Sequence, residues 1–207
     1  SNLPLLDTLA FQVDLWSARG HVPRNLGQVS ERLKEIQYSS RTRASTDHFR
    51  ELQSARALVQ ALLDKLGGRE EVLVARLAPD MFTTGQQMAT ASGFALRVAF
   101  PLAGQPVPVL PDPAPDLAGL RARIAGVRVA LAGLAPESFE GAETRRIRHR
   151  AGFAELDQDG ATFLHLFGMP NFLFHTSMAF AILRSQGIEI GNADFDGQHD
   201  YPHGFRF

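Results

Sequence analysis

The chain contains no cysteine. Disulfides, thiolate metal sites and a cysteine nucleophile are therefore excluded, and the composition suits a reducing cytoplasm. It also lacks an excess of either charge. Its 21 Lys and Arg face 22 Asp and Glu, for a net charge of −1 and a pI near 6.6. No global basic field exists to draw in nucleic acid or an anionic membrane. Ser1-Asn2-Leu3-Pro4 does not form a secretory signal. The most apolar window, Ala161 to Leu183, is interrupted by His165, Pro170, Asn171 and His175. Those residues sit poorly in lipid, so the window reads as a buried core helix and no membrane span is expected.

What remains is an ordinary globular composition. Of 207 residues, 44% are apolar and 21% charged, enough for one medium domain with an extension. The one basic run, Arg145 to Arg150, reads as a solvated hairpin or loop rather than a phosphate patch.

Alternation of Leu9, Phe11, Val13 and Leu15 predicts a short strand. Leu26, Val29, Leu33 and Ile36 then predict a helix capped by Asn25. A better supported helix starts at Thr46 or Asp47. Its stripe is Phe49, Leu52, Ala55, Leu58 or Val59, Leu62 and Leu66, and Gly67-Gly68 closes it. A short helical stretch over Glu70 to Leu77 follows, then a helix opened by Pro79-Asp80 and running to about Phe100.

Residues 101–115 hold six prolines and read as an extended connector. Asp116 caps the cleanest periodic segment. Its Leu117, Leu120, Ile124, Val127, Leu131 and Leu134 recur at three- and four-residue steps, as a helix-packing seam requires. Residues 145–160 predict a hairpin turning at Ala151-Gly152, with a second turn at Asp159-Gly160. The last helix runs from about Ala161 to Gln186, and residues 188–207 read as a tail with turns. Four amphipathic helices, one crossover and little strand signal predict an all-α bundle.

Three blocks carry a resemblance. They are Val74-Ala75-Arg76-Leu77-Ala78-Pro79-Asp80-Met81-Phe82, then Phe139-Glu140-Gly141-Ala142-Glu143, then Met169 to His175 with Ala181-Ile182-Leu183-Arg184 after it. In order and spacing they resemble DUF1993, an uncharacterised bacterial family, over about residues 48–195. The resemblance implies a four-helix bundle of the DinB/YfiT-like superfamily. Many members of that superfamily hold a divalent metal on three histidines, and some are thiol-dependent transferases. Residues 9–53 resemble a segment C-terminal to the core of bacterial patatin-like phospholipases, through Phe11 to Gly20, Pro23 to Leu26 and Ile36 to Arg43. Those enzymes need a Gly-x-Ser-x-Gly nucleophile, and no serine here has glycine at both −2 and +2. The expected organisation is thus an N-terminal extension of mixed structure over 1–45, a DinB-like bundle over 46–195 and a tail over 196–207.

The metal expectation meets a geometric obstacle. His165 and His175 are ten residues apart, which in an unbroken helix is roughly 15 Å of rise and about 80° around the axis. Two such side chains cannot share an ion whose bonds are about 2.0–2.1 Å long. Position 171, at the useful i, i+4 spacing from His175, holds asparagine where the superfamily shows histidine. Asparagine oxygen suits calcium better than zinc-like ions. His175 is then either a core histidine facing Asn171 or the remnant of a metal site.

Pro170 removes a helical N–H and leaves the Leu166 carbonyl without its partner, unless the helix starts at Pro170. Asp80 reads as a helix cap or a catalytic carboxylate. Gln86 and Gln87 either line a polar pocket with Asn171 and His175 or face water. His199 and His203 form His-x-x-x-His, but Pro202 lies between them.

The pocket candidates are therefore His175, Asn171, His165, Asp80 and Gln87, with His175 the one candidate metal ligand. The leading expectation is a small-ligand or protein-binding module, with no cofactor and a homodimer through exposed bundle faces. Its rivals are a divalent-metal-dependent transferase or hydrolase using His175 with His165 and Asp80, and a lipid-associated remnant of a patatin-like enzyme.

Overall fold

The structure, a computed structural model, describes residues 58–197, 199, 201 and 202. The expected strand over 9–16, the helix after Asn25, the segment before residue 58 and His203 lie outside the described residues. The described chain is an all-α bundle with one small hairpin. Helix α1 is described over residues 58–64, α2 spans Thr84–Leu102, α3 spans Leu117–Ala132, and α4 runs unbroken over Gly160–Ser185. The short α5, Asn192–Asp196, closes the described part. Strands β1, Arg146–Ala151, and β2, Ala154–Asp159, pair antiparallel between α3 and α4.

All four main helices feed one core. Leu62 and Leu66 follow the stripe expected near α1, with Leu63 buried beside them, and Leu120, Ile124, Val127, Leu131 and Leu134 belong to the expected seam of α3. Each such side chain stabilises the fold by about 1.5–3 kcal/mol on burial. Helix α2 is central and packs on both α3 and α4. By length and composition α4 could cross a membrane, with 26 residues and a mean hydropathy of 1.3. Within the fold it is a core helix that buries Phe163, Leu164, Phe167, Phe172, Ala179, Ile182 and Leu183.

Several expected boundaries shift for local reasons. Asp80 does not open α2. Ala78 to Met81 is a turn closed by Met81 N–H donating to the Ala78 carbonyl at 3.0 Å, with proline at its second position. Helix α2 starts three residues later because Thr83 and Gln86 form a capping box. The Thr83 hydroxyl accepts from Gln86 N–H at 3.3 Å, and Gln86 Oε1 accepts from Thr83 N–H at 2.9 Å. The helix also continues through Pro101 to Leu102. The stretch expected over Glu70 to Leu77 is a 3-10 turn, Glu70–Val74. The start of the expected tail docks on the core through Ile188 and Ile190, and Lys65 pairs with Asp194 at 2.7 Å.

The basic run divides by function in the fold. Arg145 turns inward and donates to the carbonyls of Leu102, Ser138 and Glu140, tying the end of α2 to the start of β1. Arg146, Arg148 and Arg150 alternate outward and pair with Asp157 and Glu155 across the hairpin. Ile147 and His149 point in.

Candidate functional site

Helix α4 departs from α geometry just before the residues of interest. Phe163–Gly168 form a π-helical turn, in which Met169 N–H donates to the Leu164 carbonyl, five residues back. Pro170 follows directly. It has no N–H for Leu166, and its ring would crowd that carbonyl in a regular helix. The wider turn accommodates it without breaking the chain's path. The Asn171 amide donates to the Phe167 carbonyl at 2.7 Å, so its side chain serves the irregular turn. Gly168 permits close approach to α2, since a Cβ there would lie 2.6 Å from Val98 Cγ2.

One turn beyond, His175 faces α2. Its Nδ1 lies 2.7 Å from Gln87 Oε1, and Gln87 is only 2% exposed. With the carboxamide oxygen, which can only accept, toward the ring, Nδ1 carries the proton and Nε2 presents its lone pair. Among the described residues, the buried side-chain nitrogens and oxygens without a partner are Arg123 Nε and His149 Nδ1. His175 is half-buried, and its Nε2 has no hydrogen-bond partner among those residues. The imidazole stacks on Phe94 with centroids 5.6 Å apart and on Phe82 at 6.1 Å, and meets the Phe174 edge at 5.2 Å. Burial lowers the His175 pKa from its ordinary value, and the nearby Arg97 charge lowers it further. His175 is thus a neutral, oriented acceptor near pH 7.

A second histidine continues the same aromatic layer. His149 Nε2 lies 2.8 Å from Gln158 Oε1, and its ring sits 4.3 Å from Phe167 and 4.8 Å from Phe163. Arg97 covers the layer, its Cζ 4.6 Å from the Phe94 centroid and 5.7 Å from that of Phe167. Sequence reasoning missed His149 by treating its run as surface. The signal was present in the alternation Arg146, Ile147, Arg148, His149, which puts histidine on the isoleucine side of a strand.

Of the expected pocket residues, the structure joins His175 and Gln87. Asn171 is on the same stripe of α4 but is bonded to backbone, so it is not the partner of His175 as the sequence suggested. His165 is exposed within the π-turn, and Asp80 is exposed in the turn before α2. Gln86 is taken up in the cap. The angle estimated between His165 and His175 assumed an unbroken α-helix, which the π-turn removes, yet the two remain on different surroundings. His199 bonds Asp196 and stacks on Tyr201 at 5.7 Å.

The three-histidine site implied by the superfamily does not fit these residues. The partner of His175 Nδ1 is a carboxamide, Asn171 is engaged elsewhere, and aromatic rings occupy the remaining surroundings. Among the described residues, no group of three or more His, Asp or Glu side chains could hold a metal ion.

Comparison with known proteins agrees with this architecture. Residues 38–196 match DUF1993, described as a domain of unknown function. The match begins ahead of residue 46 and takes in part of the stretch that resembled a patatin-like tail. No curated protein matches the chain. Among solved structures, a DinB family member from Shewanella denitrificans is 31% identical, with a TM-score of 0.61, over 72% of this chain and 90% of that one. The family match spans most of the chain and the bundle carries its helices in the same arrangement, so the protein belongs to the DUF1993 family and has a DinB-like fold.

Proposed function

We propose that this chain is a small-ligand-binding bundle, with His175 Nε2 as the acceptor for an N–H or O–H on a flat apolar ligand. The observation that carries the reading is the Gln87–His175 hydrogen bond. It occupies Nδ1 and leaves Nε2 for a ligand among the rings of Phe82, Phe94 and Phe174. A site with one oriented polar group and aromatic walls suits recognition of shape plus a single donor. The absence of cysteine is in keeping with a cytoplasmic setting. The exposed apolar residues of α4, Leu166, Leu173 and Phe174, at 64%, 42% and 52% exposure, supply a face for a homodimer.

Indole and 1-methylindole differ by the one donor in question. Titrated into the protein and followed by amide shifts near residues 82, 94 and 175, indole binds more tightly. His175→Phe, which keeps an aromatic ring, erases the difference. Equal binding of the two probes to the unaltered protein overturns the reading. So does about one tightly held divalent ion per chain that His175→Ala releases, which would support the metal-dependent transferase or hydrolase instead. Hydrolysis of a short-chain ester would revive the lipid-acting alternative.

A further inference from the structure

A second concavity, which also uses Phe82 as a wall, lies between the first turns of α2 and the proline-rich crossover. Its volume is about 460 Å³, and its lining includes Leu73, Phe82, Ala89 and Leu120. Among the described lining residues, the charged side chains are Asp112 and Asp116.

The crossover that forms the outer wall is pinned at both ends. At one end, Arg123 Nη1 donates to the carbonyls of Leu110 and Pro111 at 3.1 and 2.9 Å. At the other, the Ala114 backbone rests on Gly119 so closely that a Cβ there would lie 2.5 Å from the Ala114 carbonyl oxygen. Leu117 N–H also donates to Glu70 Oε1 at 2.7 Å, tying this wall to the turn that carries Leu73. Proline at 113 and 115 stiffens the short span between these anchors. The opening is therefore preformed, and little ordering cost attends its filling.

Its chemistry is one-sided. The Asp116 Oδ1 already accepts from Gly119 N–H as the cap of α3. Asp112 has no ion-pair partner among the described residues, and the Phe82 ring is 48% exposed. A carboxylate and an aromatic ring lining one groove suit an organic ammonium. We infer that this crossover groove is a second binding site, distinct from His175, for a small organic cation with an apolar body.

The 2-phenylethylammonium ion and 3-phenylpropionate share an aromatic ring and differ in charge, so the pair tests the inference. In amide-shift titrations, phenylethylammonium should perturb residues 89 and 112 saturably, and phenylpropionate should bind more weakly. Asp112→Asn, a surface change, should weaken the cation by roughly 5-fold, the scale of one partly exposed ion pair. Ala89→Leu, with an unchanged thermal transition, should block it by filling the groove. His175→Phe, which keeps a ring against Phe82, should leave the shifts at residues 89 and 112 in place, so the groove and the His175 site can fail independently. Equal binding of both probes, an unaffected Asp112→Asn variant, or no saturable shift up to roughly 10 mM overturns the inference.

Discussion

Helices α3 and α4 bury comparable faces in different ways. Helix α3 is regular, with Leu120, Ile124, Val127 and Leu131 inward and no buried polar side chain. Helix α4 passes into a π-turn after its first residues, carries Pro170 and Asn171 in the next turn, and buries Thr176 beside a histidine bonded across to α2. The inward stripe of α3 serves packing, while Arg123 on its flank holds the crossover. The irregular helix pays in lost helical hydrogen bonds and gains an oriented imidazole. In a bundle with repetitive packing, the helix that breaks the rule is where we place the candidate site.

Substitutions in the two helices would sharpen or break that contrast. The largest effect is expected in α3. Ile124→Ala empties a fully packed position and should cost about 3 kcal/mol in denaturant unfolding. The imidazole signals of His175 should stay in place. If they move, the two helices are not separable in this way. Next comes Gly168→Ala in α4, which forces a methyl against Val98 and should cost about 2 kcal/mol. Adding Val98→Ala should recover part of that loss, because the clash is with a single side chain.

Gln87→Leu should have a smaller effect on stability, about 1 kcal/mol, because the Nδ1–H of His175 loses its acceptor. Its sharper readout is the imidazole nitrogen shifts, which should report a mixture of tautomers in place of one.

The smallest effect is on pH dependence. The His175 pKa is lowered in the folded state by burial and then by Arg97. The unfolded chain therefore takes up this proton at higher pH than the folded one does. The associated stability is complete above the unfolded value near 6.5 and is lost as the pH falls through the folded value. His175→Phe should flatten that part of the stability profile. A slope of opposite sign would mean that His175 gains a charge partner on folding.

The α3 seam was legible because every residue in it answers to one requirement, burial at helical spacing. Gln87 and His175 could be nominated as polar residues in apolar surroundings, but their pairing could not. They are 88 positions apart, and the sequence offered Asn171, four residues away, as the simpler partner. The start of α2 was misplaced because Pro79-Asp80 and Thr83-x-x-Gln86 are both plausible openings. Only the turn closed by Met81 decides between them.

The sequence by itself determined the all-α class, the order of the helices, the crossover and the resemblance to DUF1993, since these follow from local periodicity and from residue blocks in fixed order. Tertiary structure alone decided that Asn171 turns to its own backbone, that His149 joins the aromatic layer, and that the crossover stands clear of α2 around a groove. Those outcomes depend on which faces meet across the bundle, and a short-range pattern contains no such distance.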